Sequence, residues 1–189
     1  MKIVYGYLLI IFSLLFMIII AFPQFYSTNS SGRIDKSIPL KFNFLEQESS
    51  PVVLLFFGYV GCGDICPPAL NELSKIYEQL DKSKVKVYFI NILNTTNKDA
   101  PPSYAKGYHK DFKGIYLDSF DIKEVATMLN LSIVKVNDNE VGHAGHLFVL
   151  NKNYNDKEYT LNYIYTTRPF AEQSIVKDIN TLLHNRIKV

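Results

Sequence analysis

Val52-Val53-Leu54-Leu55-Phe56-Phe57-Gly58-Tyr59-Val60-Gly61-Cys62-Gly63-Asp64-Ile65-Cys66-Pro67 is the segment from which the architecture can be read. Its first six residues are apolar and strand-favouring, bounded by Pro51 and Gly58. Such a run describes a strand covered on both faces, as at the centre of an α/β sheet. The next residues carry both cysteines of the chain and lead into a helix, because Leu70, Leu73, Ile76, Tyr77 and Leu80 fall at helical spacing. At i, i+4 spacing, Cys62 and Cys66 are expected on one face of that helix near its N-terminus. Their Cα atoms would then lie roughly 6 Å apart, within disulfide range. The positive end of the helix dipole favours thiolate over thiol. Two fates follow: a reversible disulfide, or a paired thiolate clamp for a soft metal. The plainer reading, two cysteines that fill space, is weakened because Gly61 and Gly63 are expected to leave the pair poorly covered. A strand-to-helix corner is also where α/β sheets place their sites.

Working downstream, Val85, Val87 and Phe89 mark a second strand ending near Ile92. Pro101-Pro102 opens a helix through Phe112, and Ile115-Tyr116-Leu117 is a short strand. Ile122, Val125, Ala126 and Leu129 mark a further helix, with Asp121 as cap and Glu124 as its partner. His146 to Leu150 reads as a strand, and Lys152-Asn153-Tyr154-Asn155-Asp156 turns the chain into the alternating strand Tyr159, Leu161, Tyr163, Tyr165. Ile175, Ile179, Leu182 and Leu183 close the chain with an amphipathic helix. The order βαβ, αβ, hairpin and terminal helix matches an α/β, thioredoxin-like fold with insertions.

Upstream, Ile3 to Phe22 holds 20 residues without a charge. At ~1.5 Å per residue that length spans the ~30 Å hydrocarbon core of a bilayer. The run exceeds a signal-peptide core and ends Ala21-Phe22-Pro23, without an Ala-x-Ala cleavage pattern. The expected organisation is an anchor over residues 1–23, a Ser-, Asn- and Gly-rich tether over 24–38, and one domain over 39–189. Met1 and Lys2 alone precede the run, so the domain is expected on the extracytoplasmic side (periplasmic in a Gram-negative bacterium), where thiols meet an oxidising poise. Of 189 residues, 20 are Lys or Arg and 18 are Asp or Glu, a balance that gives no reason to expect nucleic-acid binding. Two cysteines four residues apart are too few and too close to form a structural disulfide framework.

Two thiolates and an imidazole suit Cu(I), which prefers soft ligands. His184, near the end of the last helix, reads as a solvated residue, and His109 in the polar helix segment Tyr108-His109-Lys110-Asp111 as structural or exposed. His143 and His146 stand directly ahead of the strand Leu147-Phe148-Val149-Leu150. In a thioredoxin-like sheet that position lies beside the cysteine corner, so one of the two is expected to reach the sulfurs.

Residues Gly58 to Pro67 are similar to the Gly-Phe-Thr-x-Cys-x-Asp-x-Cys-Pro signature of the Sco/SenC family, membrane-anchored copper-binding proteins that help assemble cytochrome c oxidase. His143-Ala144-Gly145-His146-Leu147-Phe148-Val149-Leu150 resembles that family's histidine segment in a register that assigns the ligand to His143, with His146 second. The likeness runs from about Pro39 to Leu183. It implies a thioredoxin-like domain that binds one copper ion through Cys62, Cys66 and His143, with the dinuclear copper site of cytochrome c oxidase subunit II, or another copper-site protein, as client. The chain departs from the pattern at Gly142, where the family commonly has Asp, and at Asn91-Ile92-Leu93-Asn94-Thr95-Thr96, which replaces an acidic and arginine-bearing segment. Asp64 is expected to be exposed.

Three functional classes follow. The first is copper delivery. The second is a thiol–disulfide oxidoreductase acting on client cysteines without metal. Against it stand the Cys-x3-Cys spacing and Gly145-His146, where thioredoxin-type enzymes keep a proline. The third is a tethered binding module with a permanent disulfide.

Overall fold

The computed structural model describes residues 5–7, 10–17, 32–152 and 158–185. Contacts divide the chain into Met1–Ser30 and Ser31–Val189. Of the transmembrane helix expected over Ile3–Phe22, residues 3–4, 8–9 and 18–22 lie outside the described residues. Residues 5–7 and 10–17 are helical and exposed, and among the described residues no helix is long and apolar enough to cross a membrane.

In the larger unit the strands are β1 (Arg33–Leu40), β2 (Val52–Gly58), β3 (Val85–Asn91), β4 (Lys113–Tyr116), β5 (Ile133–Asn137), β6 (Glu140–His143), β7 (Leu147–Lys152) and β8 (Tyr159–Tyr165). The helices are α1 (Cys66–Glu78), α2 (Ala100–Lys106), α3 (Ser119–Leu129) and α4 (Glu172–Asn185). Six strands form one sheet in the order β1-β8-β7-β2-β3-β4, and β5-β6 is a separate ribbon. β2 pairs in parallel with β3 and antiparallel with β7, and every residue of β2 is buried. The continuous apolar run thus occupies the interior of the sheet. α1 packs on α4, which also touches β2, while α2 lies against β3 and β4. The core joins Val52–Phe57 to Leu70, Leu73 and Ile76 of α1, Phe89 of β3, Phe148 of β7 and Ile175 and Ile179 of α4.

The structure corrects several local expectations. Tether was expected through residue 38, but the chain is strand from Arg33, and residues 24–31 lie outside the described set. β1 pairs antiparallel with β8 from Arg33↔Tyr165 to Leu40↔Tyr159, and all but its last residue is exposed. An exposed edge strand carries charges such as Arg33, Asp35 and Lys36, which mask its period. The α2 helix ends at Lys106 instead of Phe112. Gly107 caps it, and the chain turns through His109, whose carbonyl accepts from the Phe112 N–H. The cap of α3 is Asp118, whose carboxylate accepts the N–H groups of Phe120 and Asp121 at 2.9 Å each. Asp121 sits in the first turn. The β5–β6 ribbon has no counterpart among the expected elements. Its apolar residues Val134 and Val136 face solvent and only Val141, with Ile133 in part, turns inward, so the apolar pattern does not mark the buried side.

Candidate metal centre

The corner after β2 is held by a brace from the next strand. Asn91, fully buried at the end of β3, accepts the Val60 N–H at 2.9 Å and donates to the Leu93 carbonyl at 2.8 Å. The Ile92 N–H reaches the Gly58 carbonyl at 2.8 Å. Gly58 itself provides room: a Cβ there would lie 2.5 Å from Cys66 Sγ. The sulfur therefore occupies space that any side chain at Gly58 would fill.

Cys66 is the first residue of α1, and Cys62 precedes the helix in a turn, where its N–H bonds to the Tyr59 carbonyl at 3.2 Å. The expectation of two cysteines on one helical face therefore fails in detail. Pro67 and Pro68 are tolerated only in a first turn, which fixes the helix start at Cys66 and leaves Cys62 outside. The sulfurs still converge, because the turn folds the Cys62 sulfur back over the helix N-terminus. Burial pushes the Cys62 thiol up. Hydrogen bonds from the N–H groups of Cys66, Asp64 and Ile65, together with the Cys66 thiol, more than offset this and leave it below the ordinary range. Burial, and then the hydrogen bond with Cys62, push the Cys66 thiol well up. Both are free thiols. Contrary to the expectation of light cover, both are buried, Cys66 completely. Aromatic rings flank the neighbouring histidine: the Tyr59 ring meets the His143 ring edge-on at 6.0 Å, and the Phe56 ring lies 6.5 Å from that imidazole.

His143, the last residue of β6, brings its Nε2 to 3.7 Å from Cys66 Sγ. Its Nδ1 accepts the Gly145 N–H at 3.2 Å, which leaves the ring proton on Nε2, facing the sulfur. Burial, with help from Arg168 and His146, lowers the imidazole, so the ring is neutral at physiological pH. Gly142, before His143 in β6, sits opposite Val134, and the ring's outer contact is the Gly145 amide. Donor atoms of Cys62, Cys66 and His143 all lie within 4.8 Å of one another. Three bonds of about 2.0–2.3 Å around a trigonal ion separate donors by about 3.5–4.0 Å, the range in which the Cys66–His143 distance falls. No carboxylate belongs to the group, and two sulfurs with one neutral nitrogen make a soft trap.

The other sequence candidates stand apart. His146 is half-buried, with its ring 6.3 Å from Phe148, and does not join the donor group. His109 is buried against Tyr77 and Phe112; its Nε2 meets Glu78 at 2.7 Å and its Nδ1 accepts the Asp111 N–H at 3.1 Å, a structural role as expected. His184 and Asp64 are exposed. Sequence reasoning passed over Asn91, Tyr59 and Arg168. Of these, only Tyr59 had a readable signal, its place in the signature ahead of Cys62. A cavity of about 280 Å³ borders the 143–146 turn beside Phe57, Leu131 and Phe148.

The SCO1/SenC family profile matches residues 46–183. A SCO2-like protein of Rickettsia felis is 29% identical over 62% of this chain and 55% of its own length. One from Rickettsia prowazekii is 28% identical over 53% of each. The chain thus spans about half the length of the curated relatives it matches. Among solved structures, apo Sco1 from Thermus thermophilus is 25% identical with a TM-score of 0.60, covering 79% of this chain and 92% of its own. Copper-bound ScoI from Arabidopsis thaliana shares the fold, with a TM-score of 0.63 at 19% identity over 80% of this chain and 99% of its own. With the profile spanning most of the larger unit and a Cys-Cys-His group at its signature, the chain belongs to the SCO1/SenC family.

Proposed function

We propose that this protein carries copper to a copper centre of cytochrome c oxidase, with Cys62, Cys66 and His143 holding one Cu(I) as cargo. One observation carries the reading: three soft donor atoms from two distant parts of the chain gather within 4.8 Å. Family membership supports it, since a structural relative is described as a member of the Sco family of cytochrome c oxidase assembly proteins. To take the ion, both thiols lose their protons, and the His143 proton passes from Nε2 to Nδ1, which then gives up the Gly145 N–H. Release reverses these steps once a client offers competing soft ligands. The client in this reading is the dinuclear copper site of subunit II, and the uncharged run Ile3–Phe22 anchors the domain on the extracytoplasmic side of a membrane.

The test is copper stoichiometry on the purified full-length chain, in detergent and under reducing conditions. Wild type should hold about one equivalent of Cu(I), and X-ray absorption should report two sulfur neighbours and one nitrogen. Cys62→Ser and Cys66→Ser should lose it, because a hydroxyl is a poor ligand for a soft ion. Retained stoichiometric copper in both serine variants would refute the site.

The unequal thiols favour a second reading. With Cys62 below the ordinary range and Cys66 above it, Cys62 suits attack on a client disulfide and Cys66 suits release of the mixed disulfide. Client reduction would then leave Cys62–Cys66 as a disulfide. Copper-independent turnover in a disulfide-exchange assay would favour this activity over metal carriage.

A further inference from the structure

Arg168 lies between β8 and α4, far in sequence from every donor atom, yet it touches both halves of the site. One Nη donates to the Gly145 carbonyl at 3.1 Å, in the turn that carries His143. The other lies 3.7 Å from a Glu72 carboxylate oxygen on α1, the helix that begins with Cys66. The same oxygen accepts the Phe170 N–H at 2.9 Å, which fixes Glu72 in place. The guanidinium plane is held over Phe170, with Cζ 4.2 Å from the ring centroid, and over Phe56 at 5.4 Å. Phe56 is also the ring beside His143.

This placement is costly. Arg168 Nε is buried without a hydrogen-bond partner among the described residues, and an unsatisfied buried donor is destabilising. An apolar side chain would fill the same gap between Phe56 and Phe170 without that penalty. A cost carried in the native structure, beside a site, calls for an explanation in the site. The charge supplies one. Cu(I) on two thiolates and a neutral imidazole has a net charge of −1 and is enclosed by aromatic rings. Arg168, which donates to the Gly145 carbonyl in the turn carrying His143, sets a compensating positive charge beside it.

We propose that Arg168 is the positioning residue of the metal centre, bolting the His143 turn to the Cys66 helix and balancing the charge of the loaded site. The charge-balancing half rests on the copper reading above. The bolting half is a property of the protein without metal.

The experiment uses the full chain as wild type, Arg168→Gln, Arg168→Lys and Glu72→Gln. Two quantities are read: amide hydrogen exchange across residues 140–147 without metal, and Cu(I) affinity by competition with a chromophoric chelator. Arg168→Gln should speed exchange in that segment at least tenfold while leaving β2 and β3 protected. It should also weaken Cu(I) binding by about 10–100-fold, the usual effect of losing an outer partner of a metal site. Arg168→Lys should recover part of the affinity, because it keeps the charge, but not the protection, because one ammonium cannot span Gly145 and Glu72. Glu72→Gln loosens the bridge from the helix side and decides the matter if the Arg168 variants do not fold. Wild-type exchange at 140–147 in Arg168→Gln and Glu72→Gln overturns the proposal, as does wild-type copper affinity in both Arg168 variants. Faster exchange in a protein that takes no copper upholds the bolt and removes the copper reading alone.

Discussion

The two unequal thiols predict a specific pH profile for copper binding. Taking up Cu(I) strips one proton from each sulfur that is still protonated, and the His143 proton merely changes nitrogen. Where both thiols are protonated and the ring is neutral, the logarithm of the apparent association constant should rise by two per pH unit, which is about 2.7 kcal/mol per unit. Cys62 lies below the ordinary thiol range because amides at the start of α1 donate to it, so its proton is lost first. The slope should then break from two to one. Cys66 lies well above the range, chiefly through burial, so the slope of one should persist far into the alkaline region. The sign is fixed: protons compete with the ion, and acid weakens binding. The assay is competition against a Cu(I) chelator of known pH dependence, from about pH 6 to 10 in half-unit steps. His143→Ala should lower the whole curve without changing its slopes. A flat profile, or a single break directly from two to zero, would refute the reasoning, since the first denies that thiolates bind and the second denies that the thiols differ.

Two further substitutions probe the scaffold and the turn. Glu48 is buried. Burial works to raise its carboxyl, but bonds from Lys113 at 2.6 Å, Tyr88 at 2.5 Å and the Ser50 N–H at 2.9 Å hold it down to about 2. Because the folded value lies below the unfolded one, this carboxylate stabilises the fold fully above about pH 4.5 and loses its effect as pH falls toward 2. The span corresponds to roughly 3 kcal/mol at most. Glu48→Gln should therefore lower the urea midpoint at pH 7 and flatten the acid arm of stability between pH 5 and 2; an unchanged midpoint would show that the network is dispensable. Gly145→Ala places a Cβ 2.6 Å from Ile65 Cγ2 at a residue with φ of 60°. It should cost about 1–3 kcal/mol in thermal or urea unfolding and weaken Cu(I) by displacing the His143 turn; wild-type melting together with wild-type affinity would contradict that packing.

The parts of the fold readable in sequence are those whose side chains face the core. Val52–Phe57 is apolar without a break because both faces of β2 are covered, and the alternation in β8 survives because one face is wetter than the other. β1 was invisible for the opposite reason. It is held by backbone pairing to β8 and by Arg33, whose guanidinium reaches Asp178 at 2.8 Å, while Tyr165 donates to the other oxygen of that carboxylate at 2.5 Å. Those partners lie 119 to 145 residues away, where no local window can see them. The ribbon β5–β6 left a weaker trace: β-branched Ile133, Val134 and Val136 lead into Asn137-Asp138-Asn139, where the Asn137 side chain accepts the Asn139 N–H at 2.8 Å. That is turn chemistry with strand-formers on one side, and it was outvoted by exposure.

The site divides along the same line. The cysteine pair could be found from spacing, and the choice of His143 over His146 came from register within a family pattern, because both histidines precede the same strand at nearly the same distance. The details that decide reactivity came from neither. That Cys62 stands off the helix was implied by Pro67-Pro68, since neither proline fits a second turn, but an i, i+4 spacing was the louder signal. Burial of the sulfurs was not implied at all. It depends on Tyr59 folding over the turn, on β6 delivering an imidazole from 77 residues downstream, and on Arg168 clasping Gly145 from beyond β8. The local motif thus specifies two of the binding atoms and, through its own amides, the lowering of Cys62, whereas the third donor and the burial that raises Cys66 come from the assembled fold. The unequal thiols are therefore a property of the assembled fold. The same ten-residue corner placed in an open scaffold should keep its selectivity for a soft ion and the lowering of Cys62 by its own amides, but lose most of the difference between its two sulfurs, because burial is what raises Cys66.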